Sequence, residues 1–312
     1  MAICRLTTKD LLRQPICLLV TLSAVILIVF LPQVFAYQLG QQENLARDSA
    51  LATQLLFGII LTGYAAASTL HTESTAGTLL TLFSRPVSRA TLFLGKLCGV
   101  ATVMLIFVWA SSSAALVSSC LTPRHFESHT SGLIAASLVF PFVLGISAFL
   151  NYKHERSFPA ACQILLPIGM SLAALFVGSR SADGELVGFA SELDWRLLAA
   201  GFMGAMVLLL LSCLALGLAA RLRPAPATAL LAVVFTAGLL SDYLETLCLP
   251  WPVMRLAVRS FLPDIQSFWL ADRLSDPGIF NPGVIWRSIF YVIAYSTGVS
   301  CVGILLFRRR EF

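Results

Sequence analysis

LLAAGFMGAMVLLLLSCLALGLAA, residues 197–220, runs without a single charged side chain. At 1.5 Å per residue, a helix of this length crosses the roughly 30 Å hydrocarbon core of a bilayer. A helix that is apolar on every face sits either in the core of a large protein or in a membrane. The rest of the chain decides between the two. Hydrophobic residues make up 58 % of the 312 residues and charged residues 12 %, with a mean hydropathy of +0.85. Soluble domains carry roughly 25 % charged residues. A water-soluble fold of this size has no interior large enough to hide that much apolar surface, so the excess faces lipid.

Seven further runs of the same kind flank the first. The hydrophobic segments fall near 16–39, 51–71, 92–119, 131–151, 159–179, 197–220, 226–247 and 286–307. Pro141 and Pro167 interrupt two of them, which membrane helices tolerate with a kink. The fold class expected is an all-α polytopic membrane protein of about eight transmembrane helices. Lys/Arg bias sets its direction. With the N-terminus in the cytoplasm, inner segments hold 13 of the 21 Lys and Arg residues, and both termini are cytoplasmic. Residues 1–36 also have the outline of a cleavable signal sequence ending at Val34-Phe35-Ala36. The apolar run Ile16 to Leu31 is long for that role, and cleavage would leave an odd number of spans. The run is therefore read as the first span.

The segments between spans carry what functional information there is. In residues 1–15, Arg5, Lys9 and Arg13 recur every four residues and form one basic stripe on a helix lying in the headgroup layer. The stretch HTESTAGTLLTLFSRPVSRATLFLGK, residues 71–96, is too long for a tight turn. Ala76, Leu79, Leu80 and Phe83 recur at helical spacing, and Pro86 disfavours helix at Arg85, so a short amphipathic helix should stop near Ser84. Arg85, Arg89 and Lys96 then place basic charge beside the membrane. From Cys248 to Gly283 the chain is rich in aromatics and Pro; Trp251, Phe261, Phe268, Trp269 and Phe280 fit an interfacial belt, with two short helices broken near Pro263 and Pro277. A structural cap and a gate are equal readings of that segment.

Catalytic signatures fail on inspection. No G-x-x-x-x-G-K-[ST] stretch occurs, so the chain lacks a P-loop for ATP. His154-Glu155 begins a zinc-protease pattern, but position 158 is Phe rather than the second His ligand. Gly145-Ile146-Ser147 has no histidine within a span to serve as its base. No catalytic, metal or cofactor-binding residue is therefore assigned. The eight cysteines form no C-x-x-C pair and read as small apolar packing residues; a Cys120–Cys248 disulfide on the outer side is the one alternative. The serines Ser111 to Ser113, Ser118 and Ser119 fit close helix packing before they fit a polar pathway wall. Asp242 and Glu245 sit at an outer helix end, too far from mid-membrane for an ion relay.

Taken together, these residues resemble the permease subunits of ABC-2 type ABC transporters, over nearly the whole chain. The resemblance rests on the basic N-terminal stretch; on Glu73, Gly77-Thr78, Ser84-Arg85-Pro86-Val87-Ser88-Arg89 and Leu94-Gly95-Lys96; on Leu262-Pro263-Asp264; and on the terminus Phe307-Arg308-Arg309-Arg310-Glu311-Phe312. It implies an N-terminal amphipathic elbow helix over residues 1–15 and a permease domain over 16–312. Within that domain it implies a coupling segment near 72–90 and outer interfacial helices near 248–284. Glu73, Gly77, Thr78, Arg85, Pro86 and Arg89 would form the contact with a separate ABC ATPase subunit, which would bind ATP-Mg while this chain carries no cofactor. Two permease copies would pair in the bacterial inner membrane and, by family analogy, export their cargo. Many members have six spans where eight are counted here, and the extra pair falls between 131 and 220. A secondary transporter, or a structural membrane subunit without an ATPase, remains the alternative.

Overall fold

The computed structural model describes residues 1–34, 42–75, 88–122, 130–180, 187–220, 222–247, 262–268 and 282–308. Ten helices run through them: α1 (Ala2–Leu12), α2 (Pro15–Val34), α3 (Gln42–Thr75), α4 (Arg89–Leu121), α5 (Thr130–His154), α6 (Phe158–Gly178), α7 (Arg196–Ala219), α8 (Pro224–Leu239), α9 (Ser241–Leu247) and α10 (Pro282–Arg308). The chain is an all-α polytopic membrane protein. Six of these helices, α3 to α7 and α10, are long and apolar enough to cross a bilayer outright. Counted as one span, α1 and α2, bent by 67° between them, make a seventh candidate. The bend falls between Arg13 and Pro15, where the missing Pro N–H suits a helix start.

The eighth expected span, 226–247, is not one helix. It divides into α8 and α9 at Leu240. At 16 residues, α8 reaches about 24 Å, short of the hydrocarbon thickness. Gly238 near its end offers a carbonyl with no partner further along the helix, and the backbone N–H of Ile265 donates to it at 3.3 Å. Pro141 and Pro167, by contrast, leave α5 and α6 continuous.

Helix α4 is the hub. It packs against α1, α2, α3, α6 and α7, while α7 in turn packs against α3, α8 and α10. Phe93, Met104 and Phe107 of α4 are essentially inaccessible. Helix α5 lies outermost, resting on α6, with Ile134, Leu138, Phe142 and Phe149 exposed to the apolar surroundings. Both ends of the chain gather on the first turns of α4. A Cβ at Gly95 would stand 2.8 Å from Ile3 Cγ2, and one at Gly303 of α10 would stand 2.7 Å from Phe93 Cζ. The first and last described helices therefore meet at one end of the bundle.

Candidate functional site

The polar face of α1 is exposed at Arg5, Lys9 and Arg13, while Thr7, Leu11 and Leu12 are buried. What receives the buried face is the sequence Gly95-Lys96-Leu97-Cys98-Gly99 on α4. Two glycines four residues apart open a groove on one side of a helix, which lets a second backbone approach closely. Ile3 and Cys4 lie over Gly95, Thr7 lies over Gly99, and Thr8 Oγ1 bonds its own helix at the Cys4 carbonyl, 3.0 Å away. Thr8 Oγ1 also lies 3.4 Å from the Gly99 carbonyl.

The neighbouring face of the same α4 turn meets α3. Lys96 is 1 % exposed, and its Nζ donates to the Thr69 carbonyl at 2.6 Å. Two turns deeper, Thr62 Oγ1 meets Met104 Sδ at 3.0 Å. The two helices thus run antiparallel, and the connection between Thr75 and Ser88 emerges at the face that also bears α1. Ser88 caps α4: its Oγ accepts from the Thr91 N–H at 3.1 Å, satisfying one of the free amides of the first turn. Lys96 does not contribute charge beside the membrane, as the sequence reading placed it. It is enclosed between α3 and α4, because the antiparallel register sets it against α3 one and a half turns before that helix ends.

The residues expected to contact an ATPase fall around this root. Glu73 lies in the last turn of α3 and Arg89 is the first residue of α4. Gly77, Thr78, Arg85 and Pro86 lie outside the described residues, as does the expected short helix around Leu79, Leu80 and Phe83. Lys96 is the residue sequence reasoning undervalued. Its signal was present, a lone Lys between Gly95 and an apolar run, but at a helix flank that pattern also describes an ordinary headgroup anchor.

The far face is tied differently. Arg47 of α3 pairs with Asp194 at 3.0 Å and with Glu43 at 3.5 Å, and the other Asp194 oxygen accepts the Arg196 N–H at 3.2 Å at the start of α7. Residues 262–268 hold a short 3-10 turn at Gln266–Phe268, in which Phe268 is buried, as are Pro263 and Ile265. This piece packs against α7 and beneath the end of α8. The Asp264 N–H donates to Tyr291 Oη at 3.0 Å, and Phe268, Tyr291 and Tyr295 form a ladder of rings about 6 Å apart. The remainder of the expected outer helices, 248–261 and 269–281, lies outside the described residues, as does Cys248. Cys120 Sγ donates to the Glu192 carbonyl at 3.5 Å.

The serines behave as packing residues. Ser111 Oγ bonds the Phe107 carbonyl at 3.0 Å, and Ser113 Oγ bonds the Trp109 carbonyl at 2.8 Å and Ser171 of α6 at 2.9 Å. Ser112 presses on Gly201 of α7 beside Gln54, whose Nε2 donates to the Gly201 carbonyl at 3.3 Å. Asp242 is exposed on α9 and Glu245 half-buried, both beyond the end of α8. His154 and Glu155 are exposed where α5 ends.

Residues 11–162 match the family described as ABC-2 family transporter proteins, from the end of α1 into the first turns of α6. No curated protein matches the chain.

Proposed function

We propose that this chain is a permease of the ABC-2 transporter family, whose model matches residues 11–162, and that it works by coupling to a separate ATPase subunit. In the proposed assembly two permease copies and two ATPases make the working unit, in a bacterial inner membrane. ATP is hydrolysed on the partner. The connection between Thr75 and Ser88 seats on that partner through Glu73, Gly77, Thr78, Arg85, Pro86 and Arg89. Export is the proposed direction, and the cargo is amphipathic or apolar, since the described spans carry few charged groups to hold a small ion.

The observation that carries this reading is the family match over the stretch containing α1, the α3–α4 pair and the connection between them. The end of α3 and the start of α4, which that connection joins, stand at the end of the bundle where α1 packs, which supports it. Purification of the tagged chain in mild detergent from its native host, followed by mass spectrometry of the bound material, tests it. A stoichiometric soluble chain with a Walker A motif is the expected result. A chain that is folded yet repeatedly alone overturns it in favour of a self-contained transporter.

A further inference from the structure

Lys96 is the only lysine among the buried residues described, and at 1 % exposure it sits among the largest fully enclosed side chains. An ionisable group enclosed in a membrane bundle is costly and survives where it does something an apolar side chain of the same volume cannot. What Lys96 does is reach across a helix pair. Its amine bonds the carbonyl of Thr69, six residues before α3 ends, from a point seven residues after α4 begins. These positions lie about 9 Å and 10 Å from the respective helix ends at 1.5 Å per residue. The bond therefore spans the root of the 76–87 connection. A bond with a charged donor is about twice as strong as one between neutral groups. On the neighbouring face of the same turn, Gly95 and Gly99 grip α1.

We infer that Lys96 is a positioning residue that clamps the end of α3 to the start of α4, so that α3, α4 and α1 move as one lever when the 76–87 connection is displaced. The inference rests on the proposed coupling role of that connection. Lys96 touches neither ATP nor cargo; it sets where the connection begins and ends. Without it, a push on the connection is absorbed by sliding of α3 past α4 and does not reach the bundle.

Two measurements test this, one with and one without the ATPase. In the purified chain alone, hydrogen exchange of Lys96→Met is expected to speed up at both 70–75 and 89–95 by about tenfold, the effect of losing one charge-assisted hydrogen bond. Exchange in α5 and α6 stays as in the unaltered chain. Unchanged exchange at either helix end overturns the clamp, whatever the chain's partner. In the complex with the ATPase that co-purifies with it, Lys96→Met is expected to lower the stimulated kcat for ATP by a similar factor. The KM for ATP and the Kd between the subunits stay unchanged, and Lys96→Arg restores at least half of the stimulation. A stimulated kcat equal to that of the unaltered complex overturns the lever, as does a loss that disappears when the assay temperature is lowered. Should the Met variant fail to insert, Lys96→Gln carries the same comparisons. Failure of any ATPase to bind the unaltered chain counts against the coupling reading and leaves the exchange measurement to decide the clamp.

Discussion

Thr7 stands over Gly99 so closely that a Cβ on Gly99 would fall 2.6 Å from Thr7 Cβ. The contact fixes the first helix to the hub helix, and it is possible only because position 99 has no side chain. Thr7 is not a tip that swings aside: it is buried, and its backbone belongs to α1. Gly99→Val is therefore expected to push α1 off α4, with an overpacking cost of about 1–3 kcal/mol. Gly145→Val, at a helix position with nothing within 4 Å, is the control. Thermal unfolding in detergent checks the pair: a lowered Tm for the first and an unchanged Tm for the second. Equal Tm values in both variants refute the groove.

The Arg47–Asp194 pair makes a second prediction. Its side chains are 17 % and 20 % exposed, so it is neither a solvated surface pair nor a fully buried one. Removing Asp194 leaves Arg47 only the longer contact to Glu43, and removing Arg47 leaves Asp194 only the Arg196 N–H. Asp194→Asn and Arg47→Met are each expected to cost about 1–3 kcal/mol, between the values for exposed and buried pairs. The double variant should cost less than the sum of the two. A double-mutant cycle on detergent unfolding measures the coupling, and strict additivity would sink the pairing.

Tyr291 governs the outer piece. Its hydroxyl accepts the Asp264 N–H, a part-buried backbone donor. Tyr291→Phe keeps the ring ladder with Phe268 and Tyr295 but strands that donor, at an expected cost of about 1–3 kcal/mol. The loss should be local. Amide exchange at 262–268 is expected to accelerate while α4 and α7 keep their protection, and uniform exchange across the chain would contradict it.

How far the sequence reveals this architecture depends on which interaction shapes each part. Helices α4 and α7 were legible because their apolar runs exceed the bilayer thickness and need no neighbour to declare them. The break at Leu240 was not. Residues 226–247 read as one apolar run, and what ends α8 is a tertiary bond, Ile265 N–H to the Gly238 carbonyl, from a segment more than 20 residues away. The burial of Phe268 was not legible for a related reason: composition alone does not say which aromatic a neighbouring helix covers. Lys96 belongs to the same class, because a lysine at the edge of a span looks alike whether it points to headgroups or across to a helix carbonyl.

The last prediction concerns the proposed coupling segment. Glu73 lies in the last turn of α3 and Arg89 begins α4, so on that proposal the partner-facing surface falls on Glu73, Arg89 and the residues between them. Reversing the charge at Glu73, or shortening the connection by deleting Gly77-Thr78, alters that surface or its reach without touching the apolar bundle. Insertion depends on the spans and on the Lys/Arg bias, and Glu73→Arg adds one basic group to the face that already carries the excess. Both variants are therefore expected to insert and to keep the orientation of the unaltered chain. Both are also expected to lose most of their stimulation of the co-purifying ATPase. Protease accessibility of tagged termini reads the first property and ATP turnover of the assembled complex reads the second. Normal stimulation in both variants would remove Glu73, Gly77 and Thr78 from the partner contact, and loss of insertion in both would make their effect structural.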